Sequence, residues 1–332
     1  MTWLTWRQFR VPAASVLGAV VLICVVLAIT RPELVNSTNV TDQKAFYYGS
    51  LFAVYLLPAV IGVFWGVPMV TREVETGTHS LVWNQTVTRK SWLANKMGFG
   101  AVAAMIAAGL LSAAVNWWAS PIDTLAGLDP ASQFEARLAP VVFAARGIAP
   151  IGYAAFAFVL GVAIGMLLRR TVAAMAVTLV VFAAVQVAFP LLVRPYLLPA
   201  TEQTVTITAD SIAGIRAEPG PTGDMPESLS MTRPAGAWVL TDETVDAKGD
   251  TVFPLPAAVH GCLPSPRGGG PSDLGPVQEC FARTLTDLGH RQHQVYQPAG
   301  RFWPLQWVET AVFLALSALL AWFCFRRIRH LS

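Results

Sequence analysis

Charged residues are scarce in this sequence. Asp, Glu, Lys and Arg make up 13% of its 332 residues, about half of the roughly 25% that soluble domains carry. The mean hydropathy of +0.52 agrees with this deficit. A soluble fold of this composition would lack the polar surface to cover its core, and a disordered chain would need more charge. The composition therefore indicates a polytopic membrane protein.

Cysteine and net charge are low as well. Four cysteines in 332 residues exclude a small disulfide framework. A net charge of +3 is too small and too dispersed to indicate a nucleic-acid partner.

Motifs for catalysis and for cofactor binding are missing. The sequence has no G-x-x-x-x-G-K-[ST], so it has no Walker A loop for ATP phosphates. The run Gly268–Gly270 is followed by Pro271 and lacks the lysine. No H-E-x-x-H occurs, and His290 and His293 have no acidic or cysteine partner at zinc-site spacing. We therefore expect no catalytic residues, and no metal or cofactor bound by this chain.

Six apolar runs are long enough to cross the ~30 Å hydrocarbon core of a bilayer as helices. The predicted spans are 11–30, 50–70, 98–118, 148–168, 171–193 and 305–325. The first run lacks a small-x-small cleavage site, so we interpret it as a retained helix and not as a signal peptide. Residues 1–10 combine aromatic side chains with Arg7 and Arg10, which predicts a short interfacial helix facing anionic membrane lipid. An ordinary cytoplasmic start is the alternative.

Basic residues predict the orientation. With the N-terminus inside, the pieces 1–10, 71–97, 169–170 and 326–332 hold 11 of the 23 Lys and Arg in 46 residues. The outer pieces hold the other 12 in 159 residues. This excess predicts a multi-pass protein of the plasma membrane with both termini in the cytoplasm.

The loop 71–97 is the most informative connection between spans. It reads TREVETGTHSLVWNQTVTRKSWLANKM and is too polar to cross a membrane. Gly77 interrupts a modest apolar face, and Thr78 and Thr88 are suited to cap short helices. The loop is either an ordinary cytoplasmic connection or a docking surface for a soluble partner.

This loop resembles the coupling-helix region of the permease subunits of type-two ABC exporters. The resemblance rests on the order Arg72-Glu73-x-Glu75-x-Gly77-Thr78, then Thr88-Arg89-Lys90-x-Trp92 and Lys96, after the second span. It extends to the interfacial helix, the six spans, a short turn between spans 4 and 5, and an excursion before span 6. The segment 296–304, YQPAGRFWP, resembles actinobacterial permeases of this type.

The resemblance implies the membrane subunit of an ATP-driven exporter that works by alternating access. A cytoplasmic ABC ATPase would hold ATP and Mg, and the six spans would pair with a second copy or with a paralogous permease. In particular, Glu73 and Glu75 would pair with basic residues of the ATPase. The residues implied in ATPase coupling are Arg72, Glu73, Glu75, Gly77, Thr78, Arg89, Lys90, Arg169 and Arg170.

The segment 194–304 is much longer than the hairpin typical of the family, and we expect it to form an extracytoplasmic α+β domain. The predicted parts of the chain are thus 1–193, 194–304, and 305–332 with the last span and a basic tail. Alternation and helical spacing predict strands at 204–208, 237–240 and 251–253, and a helix at 276–296. Cys262 and Cys280 lie in this oxidising compartment, which favours a disulfide over two free thiols.

Few polar groups lie within the spans. Asn116, Gln186 and Glu309 are candidates to contact cargo, with hydrogen bonds between helices as the alternative for the first two. We expect Glu309 to pair with Arg301 or Arg146. The other spans carry no ionisable group for proton-coupled transport, and an apolar path suits a hydrophobic or amphiphilic substrate.

The fold class is therefore an all-α polytopic membrane protein with six transmembrane helices, an N-terminal interfacial helix and an α+β insertion before the last helix. Two other functions remain open at this stage. One is a membrane-anchored enzyme with its site in 194–304, although no nucleophile–base pair is recognisable there. The other is a sensory or regulatory membrane protein with an outer recognition domain.

Overall fold

The computed structural model describes residues 2–36, 43–75, 88–128, 134–220, 223–263 and 274–328. The chain divides into two compact units. The helical unit contains residues 1–125, 133–198 and 301–332, and the insertion unit contains residues 126–132 and 199–300.

The helical unit consists of helices of different lengths. They are α1 (Thr2–Asn36), α2 (Lys44–Ile61), α3 (Val67–Glu75), α4 (Arg89–Leu128), α5 (Pro140–Ala144), α6 (Ala149–Leu168), α7 (Thr171–Leu192) and α9 (Phe302–Arg327); α8 (Leu274–Asp287) belongs to the insertion unit. A π-helical segment, Gly62–Gly66, joins α2 to α3. Among the described residues, six helical stretches are long and apolar enough to cross a membrane: Arg10–Val35, Lys44–Glu73, Arg89–Thr124, Ala149–Leu168, Thr171–Leu192 and Ala299–Arg327. The six spans predicted from the sequence are thus confirmed as helices.

The start of the chain differs from the expectation. Residues 2–10 are helical, as predicted, but they do not form a short helix of their own, because α1 continues without a break through Pro12 to Asn36. The indole Nε1 of Trp65 donates a hydrogen bond to the carbonyl oxygen of Pro12 at 3.1 Å, which fastens this part of α1 to the π-helical segment. Pro12 is a residue that often ends or kinks a helix, but here α1 continues through it.

The central helix of the helical unit is α6. Its sequence is apolar on every side, which is typical of a helix enclosed by others, and almost all of its residues are buried. A Cβ on Gly161 would lie 2.3 Å from the carbonyl oxygen of Gly62, and a Cβ on Gly66 would lie 2.4 Å from that of Phe158. Only glycine permits two backbones to approach so closely. The span that contains α2 and α3 therefore packs directly against α6.

The short turn predicted between spans 4 and 5 is confirmed as Arg169–Arg170. Arg169 has a left-handed backbone conformation, with φ of 53°, and its N–H donates to the carbonyl oxygen of Gly165, which ends α6. Arg170 is extended, and α7 begins at Thr171.

Residues 134–148 were expected to belong to an outer connection, but the structure packs them into the helical unit. We call this stretch, which includes α5, the plug segment. Its residues Val142 to Arg146 are all at most 1% exposed. A loop exposed to water would not bury an arginine, so these contacts require polar partners from the neighbouring helices.

The insertion unit is α+β, as predicted. Its strands are β1 (Thr201–Val205), β2 (Ile212–Gly220), β3 (Gly223–Met231), β4 (Trp238–Val245) and β5 (Arg291–Gln297). β5 lies between β1 and β4 in an antiparallel sheet, with Thr201 opposite Tyr296 and Trp238 opposite Gln297. β2 and β3 form a separate hairpin. An apolar core that includes Ile212, Leu229 and Phe281 joins the hairpin to α8.

The strand predictions for this unit were partly right. The strands expected at 204–208 and 237–240 overlap β1 and β4, whereas Thr251 forms only an isolated bridge with Val245. The β2–β3 hairpin was missed because residues 212–231 combine glycine, proline and polar residues without a sustained alternation of apolar side chains.

The helix expected at 276–296 is wrong in its second half. α8 ends at Asp287, and residues 291–297 form β5. Gly289 has a φ of +77°, and the N–H groups of Gly289 and His290 donate to the carbonyl oxygens of Thr286 and Leu285. This pair of bonds is the Schellman motif that ends helices at a glycine. Gly289 is therefore the sequence signal for the end of this helix, and helical spacing alone does not reveal it.

The structure contains the predicted disulfide between Cys262 and Cys280, whose Cα atoms are 5.6 Å apart. Phe281 and Val259, which adjoin the bridge along the chain, are fully buried. The bridge therefore ties α8 to the segment that precedes it.

Loss of this disulfide is expected to destabilise the insertion unit by about 3 kcal/mol, because a bridge across 18 residues restricts the unfolded chain. Hydrogen exchange of the purified full chain should show faster exchange around Phe281 in the Cys262→Ala/Cys280→Ala variant. The control Cys24→Ser should leave that region unchanged. Two free thiols in peptides mapped from protein of oxidised membranes would contradict the prediction.

Candidate functional site

The end of α3 is fastened to α4 by an ion pair. A carboxylate oxygen of Glu73 lies 2.5 Å from Nζ of Lys96, and Lys96 is only 5% exposed. The same ammonium donates to the carbonyl oxygen of Met69 at 3.3 Å and lies 4.7 Å from the centroid of the Trp92 ring. A buried lysine needs such partners, because an isolated charge is costly away from water.

The end of α3 is also fastened to α7. Oε1 of Glu75 accepts the backbone N–H of Thr171 at 2.7 Å, and Oε2 accepts its hydroxyl, also at 2.7 Å. The carboxylate thus satisfies an N–H at the first turn of α7, where a helix favours negative charge. The two hydrogen bonds from Thr171 lower the pKa of Glu75 below its ordinary value. Glu75 therefore stays ionised at neutral pH and caps a helix of another span.

Hydroxyl groups extend this connection. The hydroxyl of Thr171 lies 3.0 Å from that of Thr71, which in turn donates to the carbonyl oxygen of Val67. We call Thr71, Glu73, Glu75, Lys96 and Thr171 the α3 junction. It connects the end of span 2 with the starts of spans 3 and 5, so a displacement of α3 acts on both.

The structure brings together only some of the residues implied in coupling. Glu73 and Glu75 lie in the α3 junction, and Glu75 reaches the residue that follows the Arg169–Arg170 turn. Gly77 and Thr78 lie outside the described residues. The cationic members of the set all have exposed side chains: Arg72, Arg89, Lys90, Arg169 and Arg170.

No sequence pattern indicates a role for Thr71, Lys96 or Thr171 in a junction between helices. Lys96 belonged to the loop motif, but its spacing from Glu73 does not reveal a contact between two helices. Thr171 follows two arginines at a helix start, where a threonine is a common residue and carries no sign of a partner 96 positions away.

A second cluster of buried charges lies at the opposite end of the spans. Nε and Nη2 of Arg194 donate to the two carboxylate oxygens of Glu309, each at 2.8 Å, and the hydroxyl of Tyr153 donates to the same carboxylate. Arg194 and Glu309 have side chains that are 1% and 0% exposed. The predicted partners Arg301 and Arg146 are wrong, because Arg194 follows α7 directly and points into the helical unit.

This Arg194–Glu309 cluster also holds the plug segment. Nη1 of Arg194 donates to the carbonyl oxygen of Pro140 at 3.0 Å, and the hydroxyl of Tyr55 donates to that of Val141 at 2.8 Å. Gln306 of α9 donates to Phe143 at 2.9 Å and accepts the N–H groups of Ile148 and Ala149. Side chains of spans 2 and 6, and Arg194 directly after span 5, therefore bind the backbone of the plug segment.

The far end of the plug segment is fastened to α4. Nη1 of Arg146 donates to the carbonyl oxygen of Val115 at 2.8 Å, and Nη2 lies 2.7 Å from the carboxylate of Asp123. The hydroxyl of Ser112 donates to the carbonyl oxygen of Gly147 at 2.7 Å. Buried polar contacts thus hold the plug segment at both of its ends.

The polar residues proposed for a substrate path have different surroundings. The side-chain oxygen of Asn116 accepts the N–H of Gly147 at 3.3 Å, and Glu309 is paired with Arg194. Gln186 on α7 is half-buried, and its Nε2 has no hydrogen-bond partner among the described residues. No group of three or more His, Cys, Asp and Glu side chains suited to a metal ion occurs within the described ranges.

Comparison with known proteins finds a family match in the central part of the chain. Residues 32–194 match the model of a family described as ABC-2 membrane transporter related. The match contains α2 to α7, the loop 71–97 and the plug segment, and it confirms the resemblance inferred from the loop motif. No curated protein and no solved structure matches the chain.

Proposed function

Because its residues 32–194 are those of the ABC-2 membrane transporter related family, we propose that this chain is the transmembrane permease subunit of an ATP-driven ABC exporter. The family match across spans 2 to 5 is the observation that carries the proposal. The α3 junction supports it, since it provides a physical connection from the loop 71–97 to two further spans. In this proposal a separate ATPase binds ATP and Mg and performs the hydrolysis.

The proposed docking surface for the ATPase consists of residues 71–90 and the Arg169–Arg170 turn. The exposed cations of these segments are suited to acidic groups of a soluble partner. The carboxylates of Glu73 and Glu75 have partners within the chain, so we assign them a different role from the one that the loop motif implied. They position α3, and movement of the docked loop reaches α4 through Lys96 and α7 through Thr171.

The plug segment is the proposed outer gate. Buried polar contacts from Tyr55, Arg194 and Gln306 hold it in place in the structure. Reorientation of the spans that carry these side chains would move its backbone and open a path for a hydrophobic or amphiphilic substrate. Gln186, whose amide nitrogen has no partner among the described residues, is the polar side chain best suited to contact that substrate.

The proposed topology places both termini in the cytoplasm and the insertion unit outside, at the plasma membrane. The excess of basic residues in the short loops supports this orientation. The disulfide of the insertion unit supports it independently, because structural disulfides persist in oxidising compartments. The six spans would form half of a transporter, which a second copy or a paralogous permease completes.

Reporter fusions should place Ser332 and the segment 210–290 on opposite sides of the membrane. Fluorescence of a cytoplasmic reporter protein is expected at Ser332, because the positive loops keep the C-terminus inside, and alkaline phosphatase activity is expected at 210–290. A fusion after Glu75 provides a matched inner control. A cytoplasmic signal from 210–290 would overturn the six-span topology.

The export function is tested with the full chain purified from its own membranes in mild detergent. We expect an ABC ATPase to co-purify and the reconstituted complex to show vanadate-sensitive ATP turnover coupled to efflux of an amphiphilic dye. Reversal of the exposed turn, Arg169→Glu/Arg170→Glu, should weaken ATPase retention at least tenfold, whereas Arg291→Glu in the insertion unit should not. ATPase retention without flux, together with a response to an external ligand, would support the sensory alternative instead.

A further inference from the structure

A groove opens between the start of α4 and the end of α9. It has a volume of about 620 Å³ and is lined by Lys90, Ser91, Ala94, Trp322, Phe325 and Arg326. The buried faces of the same two segments belong to one apolar core. This core contains Leu93 and Met97 of α4, Cys324 of α9, and Ile328, which directly follows α9. The groove is therefore a fixed feature of packed helices.

The polar part of the groove is cationic. Lys90 and Arg326 are its charged residues, and the lining contributed by the described part of the chain contains no carboxylate. The guanidinium of Arg326 lies 5.4 Å from the centroid of the Trp322 ring, which keeps the charge beside the groove. Lys90 stands in the first turn of α4, where the helix dipole adds to the attraction for an anion. These charges favour a phosphate group.

The rest of the groove is apolar and continues along the membrane-spanning helices. Trp322 is 60% exposed, and Leu319, one turn earlier on α9, is 62% exposed. On α4, helical spacing places Gly98 and Val102 on the same face as Ala94, and all three are exposed. The small side chains of Ala94 and Gly98 leave room for a hydrocarbon chain beside this face.

We propose that this groove binds an anionic phospholipid, with its phosphate between Lys90 and Arg326 and an acyl chain along Ala94, Gly98 and Leu319. A free phosphate or a soluble acidic peptide would use the cations but would leave the exposed Trp322 in contact with water. The assignment to the inner leaflet rests on the proposed topology, whereas the chemistry of the groove does not depend on export. Lys90 is the last residue of segment 71–90 in the proposed ATPase dock, so the lipid would bind at the edge of that dock.

Native mass spectrometry of the full chain in detergent tests this site without the ATPase. The probes are dioleoylphosphatidylglycerol and dioleoylphosphatidylcholine, titrated separately. In the variant Lys90→Gln/Arg326→Gln the affinity for the first phosphatidylglycerol should fall about 30-fold, which equals about 2 kcal/mol at ~1 kcal/mol for each basic residue. Binding of phosphatidylcholine should change less than twofold. Trp322→Ala should weaken the binding of both lipids, because it removes the large apolar side chain that lines the groove.

The matched control is Arg169→Gln/Arg170→Gln, which removes two exposed cations at the same end of the spans. An equal loss of phosphatidylglycerol binding in both double variants would show general attraction to the surface and would overturn the site. Complete competition by millimolar inorganic phosphate would reassign the groove to a free anion. If Lys90→Gln/Arg326→Gln leaves lipid binding unchanged but a separate co-purification shows loss of the ATPase, the groove would be assigned to the partner protein. Equal melting temperatures of the variants confirm that each comparison concerns folded protein.

Discussion

The variant Arg194→Met is expected to lose about 3–5 kcal/mol of unfolding free energy, because it leaves the carboxylate of Glu309 buried without its cation. Both side chains are at most 1% exposed, so water cannot replace the lost partner. The variant also removes the donor to the carbonyl oxygen of Pro140. Thermal unfolding in detergent measures the first effect, and amide exchange of residues 138–148 measures the loosening of the plug segment.

The double variant Arg194→Met/Glu309→Leu should recover more than half of this loss, since apolar side chains of similar volume often replace a buried ion pair at little cost. Arg291→Met, at an exposed position of β5, serves as the control and should change stability by less than ~0.5 kcal/mol. Equal stability of Arg194→Met and the parent protein would show that the Arg194–Glu309 cluster does not stabilise the plug segment. A double variant as unstable as the single one would show that the hydrogen bonds to the plug segment outweigh the ion pair.

The variant Glu73→Lys is expected to abolish coupled ATP turnover. It places a second ammonium beside buried Lys96, and loss of one partner of such a pair costs about 2–5 kcal/mol before the repulsion is counted. The α3 junction would then no longer connect α3 with α4. Vanadate-sensitive turnover of the complex in nanodiscs measures the effect, and co-purification measures whether the ATPase is still bound.

The charge swap Glu73→Lys/Lys96→Glu separates the two roles considered for Glu73. If the carboxylate positions α3, the swap restores the ion pair and should recover at least half of the turnover. If the carboxylate binds the ATPase instead, the swap leaves a lysine at the dock, and ATPase retention stays low. The control Arg89→Gln changes an exposed charge of the same loop. Its effect on turnover should be the same with lysine and with glutamate at position 96.

Short-range patterns explain why much of the architecture could be predicted. Each span is a run of about 20 apolar residues, which as a helix matches the thickness of the bilayer core. The length of such a run can be read from the sequence without any tertiary contact. The disulfide was predictable because Cys262 and Cys280 share the only long polar segment that holds cysteines. The end of α8 is equally local, since Gly289 marks it, although the spacing of apolar residues alone predicts a longer helix.

The partners of the charged residues were not predictable in the same way. Glu73 and Glu75 belong to a motif that the sequence places in a polar loop, yet they contact Lys96 and Thr171, which lie 23 and 96 positions away. The plug segment 134–148 is mostly apolar but too short to be recognised as a span, so the sequence left it in an outer connection. The donors of Tyr55, Arg194 and Gln306, which hold its backbone inside the helical unit, are distant in sequence. Such contacts join residues that are distant in sequence, so periodicity carries no information about them.

The sequence by itself determined the membrane class, the six spans, the place of the insertion and the family motif, because hydropathy, run length and residue order require no partner. The tertiary structure decided which buried charges meet. An ion in an apolar interior must find its counterion or its hydrogen bonds wherever the packing of helices brings them. The close approach of Gly62 and Gly161 sets the packing of span 2 on span 4, and through it the place where α3 meets α7.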